Sequence, residues 1–377
     1  MSDQRRAFDL KVVPYGEDRI EPVAAWNARL KAGGATSHFP PAPYDPVPQP
    51  PPAIWREALL AVDAQGAVRG GYILKHQQFR VGREVHSLSQ IGLPLSEGIV
   101  DRRFAPVGPM LLADAQRREP LLFGLGMGGM AEPLPRMLRA AGWRLWPVPF
   151  FFRIVHPQRF LREIVLLRRS KWRRVAMDVA AWSGAGGLAV RLGQWIKCPR
   201  PVRSPAGAWQ VVEAFGSWAD KVWRSAADHY GALAVRDAAT LRMLYPEEDS
   251  RFIRLRFDRD RCAIGWAVLL STQFEKHRHF GRMRVGTLVD CLAPPEIAPS
   301  VAAAARDHLV ASGADLIVSN QSHAVWRRAL TAAGFLAGPS NFLFATAPPL
   351  TQLADESGIT TEDWHLNRGD GDGPINL

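Results

Sequence analysis

The sequence predicts a mixed α+β protein made of two copies of one domain, each with a central, mostly antiparallel sheet flanked by helices. The first observation is a set of apolar segments with strand-like alternation in the N-terminal half. Residues 58–63, a turn at Gln65 and Gly66, and residues 68–79 form a predicted hairpin, and a third strand follows over 85–95.

The second observation is that this order recurs in the C-terminal half. The strands are again predicted, over 252–257, 262–274 and 283–293. A helix and a Gly-aromatic pair follow in both halves, and the spacing agrees as well. Gly142 follows Gly71 by 71 residues, and Gly334 follows Gly265 by 69. So long a match in order and spacing indicates an internal repeat.

This order of elements, completed by strands at 146–155 and 341–345, resembles the GNAT acyltransferase superfamily as a tandem pair. The resemblance implies an N-terminal GNAT-like domain, a basic helical linker, a C-terminal GNAT-like domain and a tail. These segments cover residues 1–158, 159–205, 206–350 and 351–377.

In that superfamily, a loop between a strand and a helix holds the pyrophosphate of acyl-CoA. A helix start suits phosphate because its first N–H groups are unpaired and its dipole end is positive. Residues 103–108 keep the arginine and the last glycine of the family loop, so the resemblance implies that Arg103, Val107 and Gly108 contact acyl-CoA. Pro106 departs from the pattern and removes one N–H. The alternative is an ordinary strand-to-helix turn with a surface arginine.

The second copy departs further from the family loop. Residues 297–303 contain neither glycine nor a basic residue. They predict a plain helix with Ser300 near its start and Gly313 at its end. We therefore expect the first copy, and not the second, to bind acyl-CoA.

Catalytic residues are also implied by the resemblance. Many members use a tyrosine four residues before the Gly-aromatic pair as general acid, but Leu138 and Leu330 stand there. A carboxylate near the end of the long strand often serves as base. Aligning the two strands on their prolines pairs Gln90 with Asp290, which makes Asp290 the base candidate and Gln90 a substrate candidate. Partial desolvation in an apolar strand would raise the pKa of Asp290. The alternative is a strand-end carboxylate that accepts hydrogen bonds.

His323 is the second catalytic candidate. It follows a strand predicted over 315–319, where the GNAT fold opens its central groove, so it can act as base or contact the substrate. The alternative is a histidine that lies against its helix neighbours Trp326 and Arg327. The sequence shows no Ser-His-Asp order, Cys-His pairing or metal-ligand cluster.

Two further segments carry substrate candidates. Eight prolines between residues 39 and 52 predict a stiff extended loop. The loop in this place covers the acceptor in GNAT-like domains, which makes Tyr44 a candidate, with a surface linker as the alternative. Residues 364–373 resemble the Gly-Asp-x-Asp endings of tandem GNAT proteins encoded with polysaccharide biosynthesis. Asp370 and Asp372 can there receive an acceptor amine or hydroxyl.

Composition limits the class of protein. With 377 residues, 47% hydrophobic and 22% charged, the chain can bury two globular cores. Its three cysteines, Cys198, Cys262 and Cys291, form no even disulfide framework, and the first 20 residues contain no apolar signal core. These features predict a cytoplasmic protein.

The net charge of +11 is concentrated in one segment. Residues 151–205 contain twelve basic and two acidic residues. Residues 160–175 interleave apolar side chains with arginines, which predicts a basic amphipathic helix. Residues 159–197 can therefore lie on an anionic membrane surface, with salt-sensitive binding. The alternative is an inter-domain helix with solvated arginines. Nucleic-acid binding is not expected, because the tryptophans of the segment lack a regular stacking spacing.

Together, the resemblance implies an acyltransferase that moves an acyl group, such as acetyl, from CoA to an amine. The acceptor would be a small molecule, an amino sugar or a cell-envelope precursor. A catalytically inactive GNAT-like binding or scaffold protein is the alternative, since both tyrosine positions hold leucine and the loop is altered.

Overall fold

The computed structural model describes residues 10–165, 168, 171–198, 200–204 and 208–371. These residues divide into two compact units. The first unit contains residues 10–79, 84–146 and 343–357, and the second contains the described residues of 80–83, 147–342 and 358–371. Neither unit is therefore a continuous stretch of chain.

The sheet of the first unit begins with the predicted hairpin and long strand. Its strands are β1 (Lys11–Pro14), β2 (Ile54–Val62), β3 (Val68–Val81), β4 (Glu84–Ser96), β5 (Leu122–Leu125), β6 (Arg144–Pro147) and β15 (Leu343–Thr346). They lie in the order β1-β2-β3-β4-β5-β15-β6. β4 and β5 are parallel, whereas β1 with β2, β2 with β3, and β5 with β15 are antiparallel.

Helices cover both faces of this sheet. They are α1 (Ile20–Ala32), α2 (Val107–Arg118), α3 (Pro133–Ala140) and α11 (Pro348–Glu356). Leu60 belongs to the core cluster that contains Trp26 of α1, whereas Leu59 and Ala61 belong to the cluster that contains Leu111 of α2. Since successive side chains of a strand point to opposite faces, α1 and α2 cover opposite faces of the sheet.

The sheet of the second unit repeats this plan. Its strands are β7 (Phe150–Ile154), β8 (Trp209–Val212), β10 (Ile253–Arg259), β11 (Cys262–Gln273), β12 (Arg284–Leu292), β13 (Leu316–Asn320) and β14 (Leu336–Gly338). They lie in the order β14-β7-β13-β12-β11-β10-β8, and β12 with β13 is the parallel pair. Two short strands of this unit, β9 (Ala232–Ala234) and β16 (Trp364–His365), also pair in parallel.

The helices of the second unit pack on its sheet. They are α4 (Pro157–Glu163), α5 (Lys171–Trp182), α6 (Ala185–Lys197), α7 (Trp218–Ala226), α8 (Ala238–Leu244), α9 (Ala298–Ala311) and α10 (Ala324–Ala332). The alanine-rich helix predicted in this half is α9, and five of its six alanines lie in the main core cluster. Gly313 follows it with φ of 78°, a left-handed conformation that favours glycine.

The two sheets have the same strand order, but each takes its sixth strand from the other repeat. β15 follows the second repeat in sequence and pairs with β5, where Phe344 lies opposite Leu125. β7 follows the first repeat and pairs with β13, where Phe152 lies opposite Val318. The units therefore differ from the ranges 1–158 and 206–350, because apolar alternation marks a strand without specifying its neighbour.

The helix predicted over 160–175 is interrupted. α4 ends at Glu163, and the next residue, Ile164, is extended with a buried side chain. Val165 then donates its N–H to the carbonyl of His279, a residue outside this segment. The segment expected to be a linker belongs to the second unit, where Phe160 and Leu161 join a core cluster with strand residues.

No helix of the described residues combines the length and the apolar character that crossing a membrane requires.

The strand exchange predicts how fragments behave. A fragment of residues 1–158 lacks β15, which leaves one edge of β5 unpaired and removes the buried Ala345 from the core. We expect it to lose the cooperative urea transition, followed by circular dichroism. Residues 1–146 joined to 341–357 by a flexible linker should regain that transition. Equal cooperativity of the two fragments would contradict the role given to β15.

Candidate functional site

The first candidate region is a fork in the sheet of the first unit. The parallel strands β4 and β5 pair at two positions, Ser89 opposite Leu122 and Gln90 opposite Phe123. β4 continues to Ser96, and Leu93 interrupts its regular backbone with φ of 44°. The substrate candidate Gln90 is buried and lies at the last position where the two strands pair.

The loop that leaves this fork is anchored by a buried carboxylate. Ser96 caps the loop by accepting the N–H of Gly98 at 3.0 Å. Glu97 is buried and accepts hydrogen bonds from the guanidinium groups of Arg29 and Arg69, at 2.8 and 3.1 Å. Charge-assisted hydrogen bonds of this kind hold geometry well. The loop is thereby fixed to α1 and β3 before it reaches the predicted phosphate-binding residues.

Arg103 lies on the surface of this loop. Its side chain is 84% exposed and pairs with Asp101 at 2.7 Å. Asp101 also accepts the backbone N–H of Arg103 at 3.0 Å, which caps a short turn of helix. An exposed ion pair of this type contributes little to stability. The guanidinium can therefore turn to an anionic ligand at small cost.

The start of α2 offers fewer donors than an ordinary helix. Helix formation leaves the first N–H groups without an intrahelical partner. Pro106 and Pro109 have none to offer, so Val107 and Gly108 supply the N–H groups of this turn. A Cβ added to Gly108 would lie 3.6 Å from the sulfur of Met137, an ordinary contact. Packing therefore does not require glycine there.

A polar cluster that the sequence analysis missed lies on the same sheet. His76 is buried and stacks on Trp55, with ring centroids 3.6 Å apart. Its Nδ1 is 2.9 Å from the hydroxyl of Ser89, and its Nε2 is 3.1 Å from a carboxylate oxygen of Glu57. Ser89 is completely buried, which argues against a role as nucleophile. We interpret the cluster as a structural contact between three strands. The signal in the sequence is the polar run 75–78 inside a long strand.

The second candidate region is the equivalent fork of the second unit. The parallel pairing of β12 and β13 ends at Leu288 opposite Ser319, and Asp290 follows on β12. Asp290 is completely buried. One carboxylate oxygen accepts from Arg236 and Tyr245, each at 2.7 Å, and the other accepts from Asn367 at 2.7 Å and from the N–H of Cys291. All of these donors belong to the second unit.

The expected rise in the pKa of Asp290 is wrong. Burial acts to raise the pKa, but the charge of Arg236 and the hydrogen bond from Tyr245 outweigh it, so the pKa lies below its usual value. A carboxylate with a lowered pKa and both oxygens occupied is a poor proton acceptor. The geometry supports the alternative, a strand-end carboxylate that accepts hydrogen bonds.

The C-terminal segment bridges both arms of this fork. On one arm, Asn367 bonds to Asp290, and on the other, the N–H of Leu366 donates to the hydroxyl of Ser322 at 2.7 Å. Asp370 is buried and pairs with Arg236 at 2.5 Å. The substrate candidate Asp370 is thus part of a buried ion-pair network, and Asp372 lies outside the described residues.

His323 is placed at the start of α10. Its Nδ1 accepts the N–H of Val325 at 3.2 Å, which caps the helix. The ring is buried beside that of Tyr230, with centroids 4.6 Å apart. Burial lowers the pKa of His323 to about 4. The imidazole is therefore neutral at pH 7 and already uses one nitrogen in the cap.

The remaining candidates are Tyr44 and the two positions where the family has tyrosine. Tyr44 lies in the proline-rich segment, outside any helix or strand, and its side chain is partly exposed. Leu138 and Leu330 are buried in the cores of their units, so neither tyrosine position has a polar substitute. The described residues contain no group of three or more metal-ligating side chains.

The Asp290 network predicts a stability effect. Asp290→Asn should lower the free energy of unfolding by about 3 kcal/mol at pH 7, because Arg236 loses a buried charge partner. Since the pKa of Asp290 is lowered by folding, this contribution is present at neutral pH and lost as the pH falls through the folded value. Urea unfolding at several pH values measures this contribution.

Asp249→Asn, in the surface pair with Arg251, is the matched control and should change the free energy of unfolding by less than about 1 kcal/mol. Unchanged stability of Asp290→Asn would contradict the network.

The buried histidine predicts a second pH dependence. The pKa of His323 is 6.5 in the unfolded chain, and burial lowers this pKa to about 4 in the folded chain. The free energy of unfolding therefore has its full value above pH 6.5. It falls by roughly 3 kcal/mol as the pH decreases to 4, because the unfolded chain takes up the proton first. His323→Asn keeps a capping oxygen without a titrating ring and should remove that part of the slope. A variant with the wild-type slope would show that His323 does not carry it.

Comparison with known proteins gives matches among solved structures. No protein-family model and no curated protein matches the sequence. A probable N-acyltransferase of Enterococcus faecalis V583 is 10% identical, with 92% of this chain and 74% of that chain covered and a TM-score of 0.49. Saccharomyces cerevisiae N-myristoyltransferase with bound myristoyl-CoA is 8% identical, with 89% and 78% covered and a TM-score of 0.49. A GCN5-related N-acetyltransferase from Anabaena variabilis ATCC 29413 is 10% identical, with 90% and 72% covered and a TM-score of 0.49.

The strand order of the chain itself carries the conclusion about the fold. Each unit has a run of antiparallel strands, one parallel pair that forks, and a helix that starts just beyond the fork. This is the architecture that the repeat in the sequence predicts. The chain has a tandem GNAT-like fold.

Proposed function

We propose that the chain is an acyltransferase that moves an acyl group from CoA to an amine, with its acyl-CoA site in the first unit. The observation that carries the proposal is the loop from the fork of β4 and β5 to the start of α2. It combines the N–H groups of Val107 and Gly108 with the exposed guanidinium of Arg103. Backbone donors and a cation at a helix start fit a pyrophosphate.

The chemistry needs an oriented thioester more than a strong acid or base. Strand amides beside the fork would polarise the thioester carbonyl, and a fixed geometry lowers the entropic part of the barrier. Asp290 is enclosed by its four hydrogen-bond donors, so we assign removal of the amine proton to water. Acetyl-CoA is the acyl donor that we propose to test first.

The acceptor would meet the fork from the side of Gln90. This amide is buried at the point where β4 and β5 part, and it can orient a polar acceptor. Tyr44 is the second substrate residue that we propose. An amino sugar or a cell-envelope precursor, as in polysaccharide biosynthesis, is the acceptor class that the resemblance implies.

The second unit has a different role in this proposal. Its equivalent helix, α9, starts after Ile297 with no basic side chain or glycine in its first turn. The C-terminal segment also occupies hydrogen-bonding groups on both arms of its fork. We therefore propose that this copy serves as a structural partner.

A catalytically inactive binding or scaffold protein is the second candidate function. The burial of Leu138 and Leu330 and the enclosure of Asp290 favour it. Turnover separates the two. Release of free CoA from acetyl-CoA in the presence of glucosamine and other small amines, above the rate without amine, supports the enzyme.

We further propose that the chain works in the cytoplasm and meets an anionic membrane surface through residues 159–197. The concentration of basic residues in this segment supports the proposal.

The acyl-CoA site is tested by a double substitution. Arg103→Ala with Gly108→Asp should abolish CoA binding in calorimetry, because one phosphate-binding cation is lost and a carboxylate faces the phosphate. An aspartate in the first turn of a helix stabilises it, so folding should be preserved. Gly108→Ala is the matched control, since its Cβ has room, and should bind within about threefold of wild type. Retained affinity of the double variant would place the site elsewhere.

A further inference from the structure

The helices α5 and α6 form a hairpin with an apolar inner side. They are joined through Ser183 and Gly184, and Gly184 has φ of 73°. Ala181 and Gly187 are buried, and Met177 and Val190 pack against the core cluster that contains Phe160. The hairpin is therefore fixed to the second unit by one side of each helix.

The other side of each helix is also apolar, but it is exposed. We call this the outer face. Its large side chains are Trp172, Val175, Val179 and Trp182 on α5, and Leu188, Leu192, Trp195 and Ile196 on α6. The spacing within each set places the side chains on one face of a helix.

The outer face differs from the rest of the described surface. It holds half of the sixteen large hydrophobic side chains that are exposed, within 25 residues of chain. Trp182 is 83% exposed and Leu188 is 69% exposed. Scattered single apolar residues need no explanation, whereas a contiguous group of this kind marks an interaction surface.

Positive charge surrounds this face. Arg191 and Lys197 belong to α6, and the acidic residue Asp178 belongs to α5. Asp178 is neutralised by Arg168 at 2.7 Å. Trp195 and Lys197 also line a cavity of about 1030 Å³ whose other charged lining residues are Arg200, Arg327, Arg328 and Glu362. Basic side chains therefore predominate around the apolar ones.

This combination favours a lipid surface over a second copy of the chain. Two copies that met through the outer face would bring like charges together, which costs energy. An anionic membrane instead supplies the opposite charge, and tryptophan is enriched where membrane meets water. α5 and α6 have 12 and 13 residues, so each can lie in the interface but is shorter than the roughly 20 residues of a spanning helix.

We propose that the outer face of α5 and α6 inserts its apolar side chains into the headgroup region of an anionic membrane. This deepens the proposed membrane association, because it assigns binding to apolar insertion assisted by charge rather than to charge alone. It does not depend on acyl transfer. Loss of vesicle binding with intact CoA binding would therefore leave the proposed enzyme in place.

The test measures partitioning of the full chain to vesicles by flotation. Vesicles of equal parts phosphatidylglycerol and phosphatidylcholine are compared with phosphatidylcholine alone, at 0.1 and 1 M salt. We expect binding to the anionic vesicles. Binding should weaken at high salt but persist, because the Debye length falls from about 10 to about 3 Å while apolar insertion remains.

Two variants separate the contributions. Trp182→Ser with Leu188→Ser and Leu192→Ser should lower partitioning at least about tenfold at both salt concentrations. Arg191→Gln with Lys197→Gln should lower it about tenfold at 0.1 M and hardly at 1 M. Val211→Ser with Val310→Ser changes exposed apolar residues of the same unit away from the outer face and is the matched control.

Three results would overturn the proposal. The first is that wild-type protein does not bind the anionic vesicles. The second is that the triple serine variant binds as well as wild type while its urea transition is unchanged. The third is that light scattering shows a dimer for wild type and a monomer for the triple serine variant, and that wild type does not bind vesicles. That result would assign the outer face to a second copy of the chain.

Discussion

The exchange of the sixth strand is the constraint on which the rest of the structure depends. β15 completes the sheet that the first repeat begins, and β7 completes the sheet of the second. Each exchanged strand pairs with the strand that forms one arm of a fork, β5 in the first unit and β13 in the second. One arm of each fork is therefore paired with a strand that comes from the opposite repeat.

The two forks differ in their surroundings because different side chains line them. In the first unit, the fork leads to a loop fixed by Glu97 and to a helix start with two backbone donors. In the second, Asp290, Arg236 and Asp370 form a buried ion-pair network with the C-terminal segment. Buried charges are tolerated only when they are paired and hydrogen-bonded, so this network fixes the segment in place. The first fork therefore leads to the acyl-CoA site that we propose, whereas the second carries a buried structural network.

In the basic segment between the repeats, packing covers some of the apolar side chains and leaves the others exposed. Apolar residues occur on two sides of α5 and α6, and the core of the second unit covers one of them. The sequence predicts a basic amphipathic segment but does not specify which apolar stripe is covered. In the structure, Met177 and Val190 pack against the core cluster that contains Ile164, so their side of the two helices is the covered one.

The local pattern of the sequence determined the elements, and the tertiary structure decided their partners. The hairpin, the long strands and the alanine-rich helix were predicted because alternation and turn residues act over a few neighbours. The glycine and arginine of the loop were visible for the same reason. The exchange of β7 and β15, the capping role of His323 and the enclosure of Asp290 were not. Asp290 meets Arg236 and Asn367 across 54 and 77 positions of the chain, and such encounters depend on the complete fold rather than on local sequence.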